Sequence, residues 1–287
     1  AQGFRLLNQS QHGLKLTMAT LGAFTKYPRQ SLIDKSLPGK ASQKKFGFYQ
    51  TEKEIFEELA NGLELLPQTD DGQWTRHPLA FLVEAADDIC YHIIDLEDGC
   101  TLGLISFDDT VDLLKPIIGK KFDAQKLSNK KSQHEKLGTL RAMAINQLVS
   151  EAVDVFVNNE EGLLAGSFDQ PLTTLVKSTE AMSQIQKVSV DRIYRAKIVL
   201  EKEIAGFEVL EGLLNALISA TYNFTYDKNS SKDKTLFRLL PEEVKSYLQP
   251  DFLYPNLRVM LDYISGMTDS HALTMYRKLK GMSLPSW

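Results

Sequence analysis

The stretch from Arg76 to Gly99, RHPLAFLVEAADDICYHIIDLEDG, limits what this chain can fold into more than any other. Pro78 suits the first turn of a helix, where its missing N–H is no loss, and Gly99 suits a helix end. The run between them predicts one helix of about six turns. At about 100° per residue, Glu84, Asp88, Tyr91, Asp95 and Asp98 fall within roughly 100° of arc beside Asp87. The far side carries Leu79, Leu82, Val83, Ala86, Ile89, Cys90, Ile93, Ile94 and Leu96, interrupted only by Glu97. Such a helix is expected to pack against protein over most of its girth and to leave a narrow acidic strip.

A solvated face is the ordinary explanation of such a strip. Exposed faces, however, usually interleave Glu with Lys one turn away, and this run has no Lys or Arg after Arg76. Like charges three or four residues apart cost about a few tenths of a kcal/mol per pair unless a cation from elsewhere compensates. The alternative is a metal or substrate site, with Asp87, Tyr91 and Asp95 one turn apart. A tyrosine hydroxyl between two carboxylates suits a sugar hydroxyl.

The remaining pattern is helical. Residues 1–27 predict a helix, a break at Gly13 and a second helix burying Leu14, Leu16, Met18, Leu21 and Phe24. Tyr27-Pro28 and Pro38-Gly39 make residues 28–45 a loop. Thr51 and Glu54 form a capping-box pattern that opens a helix to about Asn61, with Gly62 as its stop, and residues 63–74 are a loop. Ser106 caps a helix to Leu114 that Pro116 ends. A long buried helix is expected from Glu135 to Asn158, another opened by Pro171 and reaching Ile185, and a third long one from Arg195 to Tyr222. Gly206 and Gly212 inside the third call for a close neighbour, since glycine weakens a helix. Helices over 233–239, 241–248 and 256–264, and one capped by Thr268 or Asp269 and ended by Gly281, complete the chain. There is no internal repeat and no period-2 strand pattern, so the expected architecture is all-α.

With 43% apolar residues the chain can bury a substantial core. No uninterrupted apolar run reaches the roughly 18 residues that span a bilayer, and the amino terminus has no export signal pattern, so the expectation is a cytoplasmic protein without membrane contact. Cys90 and Cys100 suit neither a disulfide framework nor a zinc site and are expected to be core thiols. A net charge of −4 argues against nucleic-acid binding by the whole surface. Lysines nevertheless crowd residues 26–45 and 115–136. The second tract is expected to be a solvated connection; the alternative is an electrostatic patch for single-stranded nucleic acid or a nucleotide effector.

The helix segment HPLAFLVEAADDICYHIIDLEDG, with AQGFRLL, LTMATLGAFTKYPR, KKFGFYQTE and YISGMTDSHALTMYRKLKG, resembles the bacterial dGTPase-type deoxynucleoside triphosphate triphosphohydrolases of the HD superfamily. The resemblance runs from residue 1 to about 283, and EAADD followed by DLED is its most specific part. It implies a multi-helix HD-like bundle with extra carboxy-terminal helices. Residues 1–165 would bear the site, and 166–287 would complete the nucleotide pocket.

The implied reaction splits a deoxynucleoside triphosphate, dGTP or dNTPs generally, into deoxynucleoside and inorganic triphosphate with a divalent metal, Mg²⁺ or Mn²⁺. By the resemblance Asp87 is a metal ligand, Tyr91 and Asp95 hold the 3′-hydroxyl, and Lys26, Tyr27 and Lys45 meet the phosphates. Glu203 and Arg238 would border the base, where the alternatives are a carboxylate paired across helices and a helix-end cap or surface charge. The assembly implied is a homo-oligomer, commonly a hexamer.

The family's remaining metal ligands, a His and a His-Asp pair, have no counterpart, because none of the five histidines is followed by Asp. The chain begins at Ala1 rather than Met and is expected to be a carboxy-terminal portion, incomplete for catalysis alone. The competing class is a non-catalytic helical regulatory or assembly module that binds nucleic acid or a partner subunit through its basic loops.

Overall fold

The computed structural model describes residues 1–8, 14–32, 42, 44–69 and 72–282. The expected break at Gly13 and turn at Pro38-Gly39 lie outside these. The chain divides into two compact units, Ala1–Ala196 and Lys197–Trp287. Both are helical.

The first unit runs α1 (Gln2–Asn8), α2 (Met18–Phe24), α3 (Lys53–Gly62), a small antiparallel hairpin β1 (Pro67–Thr69) and β2 (Gln73–Trp74), then α4 (Pro78–Thr101), α5 (Phe107–Ile118), α6 (Ala124–Ser128), α7 (Gln133–Asn158), α8 (Glu160–Leu164) and α9 (Thr179–Val188). The hairpin was not expected; strands of two and three residues are too short to show a period. The predicted long helix is α4, with Pro78 at its start and a His77 cap whose Nδ1 accepts from the Leu79 N–H.

Phe81, Ala85, Ile89, Ile93 and Leu96 of α4 form one core with Leu140, Ala144 and Leu148 of α7, Leu114 and Ile117 of α5, and Met182 and Ile185 of α9. A smaller aromatic core joins Phe4, Phe48 and Phe56, the last two stacked at 4.2 Å, with Trp74 packed against it.

Several local expectations are corrected. α4 is not covered over most of its girth, because Leu79, Val83 and Ile94 are exposed and so is Cys90; of the two expected core thiols only Cys100 is buried. Leu14, Met18 and Phe24 are exposed, leaving Leu21 as the buried member of that set. Thr51 does not cap α3: its hydroxyl donates to Glu52 and accepts from Arg5, and Arg5 also pairs with Glu52, so the pattern serves that ion pair. Pro116 does not end α5. It forgoes one backbone hydrogen bond, but Ile117 and Ile118 are buried and hold the last turn, and Gly119 stops the helix at φ +61°. The basic tract folds as well: Asp123 caps α6, and Phe122 and Leu127 pack on the main core. Pro171 precedes only a short 3-10 turn, Leu172–Thr174, and after α9 a π-helical segment, Ser189–Tyr194, closes the unit.

The second unit runs α10 (Lys197–Thr225), α11 (Ser231–Leu239), α12 (Glu242–Ser246), α13 (Leu253–Ser265) and α14 (Asp269–Leu279). Its core joins Leu217 and Ala220 of α10, Leu236 of α11, and Met260 and Ile264 of α13. Of the two glycines in α10, Gly212 has the predicted neighbour: a Cβ there would lie 2.3 Å from the Tyr276 ring. Gly206 has none within 4 Å. Over one 18-residue stretch with mean hydropathy 1.3, α10 is long and apolar enough to cross a membrane. Its glutamates, Glu208 and Glu211 among them, break the uninterrupted run sought in the sequence. Leu213 and Leu217, in its second half, are buried, Leu217 in the unit's core.

Candidate functional site

The strip on α4 divides into a structural part and an open part. Glu84, in the first half of the helix, is buried and is not a surface charge. It accepts from Arg76 Nη1 at 2.7 Å and pairs with Lys26 Nζ at 3.1 Å. The cations missing from the helix itself therefore come from the segment before it and from the residues just after α2. Arg76, with side-chain exposure of 1%, lies against the rings of Phe81 and Tyr27 and donates through Nε to the Lys26 carbonyl at 2.8 Å. Burial opposes the Lys26 ammonium, yet the bond to Glu84, with the charges of Glu84, Tyr27 and Asp88, holds its pKa above the ordinary lysine value.

One turn on, Asp88 is half-buried and accepts from the Thr173 hydroxyl at 3.0 Å. Burial pushes its carboxyl above the usual range, against the Thr173 bond and the Lys26 charge. Asp95 accepts from the Tyr194 hydroxyl at 2.6 Å, and the Tyr91 and Tyr194 rings are 6.0 Å apart. Burial and the hydrogen bonds to Asp95 and Tyr91 push the Tyr194 phenol well above its ordinary pKa, so it stays a donor. Close packing fixes that contact. A Cβ at Gly99 would lie 2.4 Å from Ile193, so the π-helical segment carrying Tyr194 rests on the backbone of α4.

Asp87 and Tyr91 remain open, with Tyr91 56% exposed. Thus Asp87, Tyr91 and Asp95 do share one face as their spacing predicted, with Lys26 drawn beside that face through Glu84. Tyr27 is half-buried under the Lys26 and Arg76 charges. Lys45 is exposed in the segment whose Gly47 N–H donates to the Arg29 carbonyl at 2.9 Å. Glu203 and Arg238 are exposed residues of the second unit, on α10 and in the last turn of α11.

Tyr194, Thr173 and Arg76 were not singled out from the sequence. Tyr194 is 99 residues from Asp95, in a segment without a motif, and only the bond itself reveals it. Arg76 opened the quoted stretch, but its burial had no sequence signal.

A divalent ion needs several oxygen or imidazole ligands. Among the described residues no group of three or more His, Cys, Asp or Glu is placed to hold one. Asp87 offers a single carboxylate, so these residues alone do not complete a metal site. What the face can do unaided is offer a phenol and two carboxylates to hydroxyl donors, with a cation alongside.

A sequence model described as a phosphohydrolase-associated domain matches residues 176–278. A deoxyguanosinetriphosphate triphosphohydrolase-like protein of Synechocystis is 38% identical over 99% of this chain and 65% of its own length. One of Pseudomonas aeruginosa is 36% identical over all of this chain and 66% of its own length. A deoxyguanosinetriphosphate triphosphohydrolase of Yersinia enterocolitica is 29% identical over 97% of this chain and 62% of its own length. The chain thus spans just under two thirds of the relatives it matches. The likeness extends over nearly the whole chain, both units included, so throughout its length the chain is similar to deoxyguanosinetriphosphate triphosphohydrolase-like proteins.

Proposed function

We propose that the protein to which this chain belongs hydrolyses deoxynucleoside triphosphates to deoxynucleoside and inorganic triphosphate, and that α4 supplies its sugar-binding face. The observation that carries the reading is the arrangement of Tyr91 and Asp95. Their side chains stand one turn apart, with Asp95 oriented by Tyr194 and Tyr91, beside the same phenol, still 56% exposed. A carboxylate already held by one phenol retains lone pairs for a second donor, and a deoxyribose 3′-hydroxyl is such a donor. Lys26 and Tyr27 are the phosphate contacts of this proposal, and Lys45 a further one. Glu84 holds the Lys26 charge in place, and an arriving polyphosphate would compete for that same ammonium.

Asp87 would supply one carboxylate to a divalent ion, Mg²⁺ or Mn²⁺, whose other ligands would come from outside the described residues; the chemistry such an ion would supply there is Lewis-acid activation of a phosphate. The names of the relatives support the reaction class. Association of the chain with further copies belongs to the same proposal, supported by Ile204 and Phe207 on α10, which are 62% and 63% exposed.

The test uses the intact protein and two substrates, a normal deoxynucleoside triphosphate and its 3′-deoxy analogue. Tyr91→Phe and Asp95→Asn are expected to lower kcat/KM on the normal substrate about tenfold or more, as loss of one hydrogen bond to a charged group does, and to change the analogue little. Equal losses on both substrates would remove the sugar assignment. Asp87→Ala is expected to abolish metal-dependent turnover and to weaken manganese binding in calorimetric titration; near-normal turnover would contradict its role.

A further inference from the structure

Arg76 lies between β2 and the His77 cap of α4, and only 1% of its side chain is exposed. Stability alone is a weak reason to bury a guanidinium, because apolar residues of similar volume often do as well as a buried ion pair. Its contacts point elsewhere. Nε donates to the Lys26 carbonyl at 2.8 Å, and Nη1 donates at 2.7 Å to Glu84, whose other oxygen pairs with the Lys26 ammonium at 3.1 Å. The guanidinium carbon lies 5.9 Å from the centre of the Tyr27 ring and 5.1 Å from that of Phe81.

The same contacts extend toward Lys45. The backbone at Gly47 rests on that of Tyr27, since a Cβ there would lie 2.0 Å from the Tyr27 carbonyl oxygen. Asp169, whose carboxylate is 4.0 Å from Arg76 Nε, accepts from the Ser42 N–H at 3.2 Å. Lys26 and Tyr27 thus touch Arg76 directly, and the segment carrying Lys45 is tied at Ser42 and Gly47 to residues beside it. Arg76 itself is closed to a ligand, whereas the Lys26 side chain is 31% exposed.

We propose that Arg76 is the positioning residue for the triphosphate: it fixes the backbone of Lys26 and the ring of Tyr27, and it shares the charge of Glu84, so that the Lys26 ammonium is aimed without being wholly committed. A planar fork reaches a carbonyl, a carboxylate and a ring face at once, which an ammonium does not. The inference rests on the reading of Lys26 and Tyr27 as phosphate contacts.

Arg76→Lys in the intact protein keeps a charge for Glu84 and loses the fork. It is expected to raise KM for a deoxynucleoside triphosphate about tenfold, as loss of one charge-assisted hydrogen bond does, with kcat held within about twofold. Calorimetric titration is expected to show the same loss for inorganic triphosphate and none for deoxyguanosine, whose 3′-hydroxyl would go to Tyr91 and Asp95. A merely structural role lowers the folded fraction, and so kcat, without separating the two ligands. Arg76→Gln combined with Glu84→Gln leaves no buried charge unpaired and covers the case in which Arg76→Lys does not fold. The combined change also releases Lys26 from Glu84. If the ion pair only restrained Lys26, inorganic triphosphate would bind more tightly; positioning by Arg76 requires it to bind about tenfold more weakly. An unchanged KM in Arg76→Lys, or undiminished triphosphate binding by the combined variant, would overturn the proposal. Lys26→Gln separates this inference from the reading beneath it. Normal triphosphate binding by that variant removes the phosphate contacts and the proposal with them, whereas weak binding there beside normal binding by Arg76→Lys removes only the role of Arg76.

Discussion

Arg76 and Glu84 show how much of the acidic strip is structural. Both side chains are almost fully buried; among the described residues Arg76 Nη2 has no hydrogen-bond partner and the other nearby carboxylate, Asp169, is 4.0 Å from Nε, so Glu84 is the closer counter-ion of the guanidinium. Glu84→Ala is expected to destabilise the first unit by about 3 kcal/mol, the usual cost of leaving a buried charge unpaired, as read from urea unfolding. Asp88 behaves in the opposite sense. Burial raises its carboxyl above the unfolded value of about 3.9, so the folded state favours the protonated form. That advantage is full below about pH 4 and is lost as pH rises through the folded value, which leaves a charge penalty at neutral pH. Asp88→Asn keeps an acceptor for Thr173 and is expected to raise Tm at pH 7, with the gain vanishing near pH 3. The face shared by Asp87, Tyr91 and Asp95 was legible from spacing alone. Which of its neighbours are already engaged was not, because Lys26, Thr173 and Tyr194 arrive from distant parts of the chain.

Among the elements, α10 separates what glycine costs from what it permits. At Gly206 an added methyl meets nothing within 4 Å, so Gly206→Ala is expected to stabilise the second unit by up to about 1 kcal/mol through helix propensity. At Gly212 the same methyl meets the Tyr276 ring at 2.3 Å, and Gly212→Ala is expected to cost about 1–3 kcal/mol despite the same propensity gain. Thermal unfolding of the two variants should move in opposite directions. α4, α7 and α10 were predictable because their apolar periodicity runs for many turns. The start of α3, the end of α5 and the hairpin were not. At each of these a tertiary contact outweighed the local signal: Arg5 on Thr51 and Glu52, buried Ile117 and Ile118 beyond Pro116, and backbone pairing of Trp74 with Pro28.

For the molecule as a whole, two apolar clusters in the first unit and one in the second each draw on their own helices. Scanning calorimetry is expected to resolve more than one transition, with Glu84→Ala lowering one and Gly212→Ala lowering another; a single transition shifted by both would contradict separate cores. The helical class, the long helix with its acidic strip and the likeness to triphosphohydrolase-like proteins were legible in the residues alone, because these rest on periodicity and residue identity along the chain. That Glu84 is an internal counter-ion, that Asp88 and Asp95 are held by Thr173 and Tyr194, and that Asp87 and Tyr91 stay exposed emerged with the folded chain alone. The physical reason is that a helix face is set by local geometry, whereas the state of a charge on it depends on burial and on which groups come within a few ångströms, and in a folded chain those groups come from anywhere in the sequence.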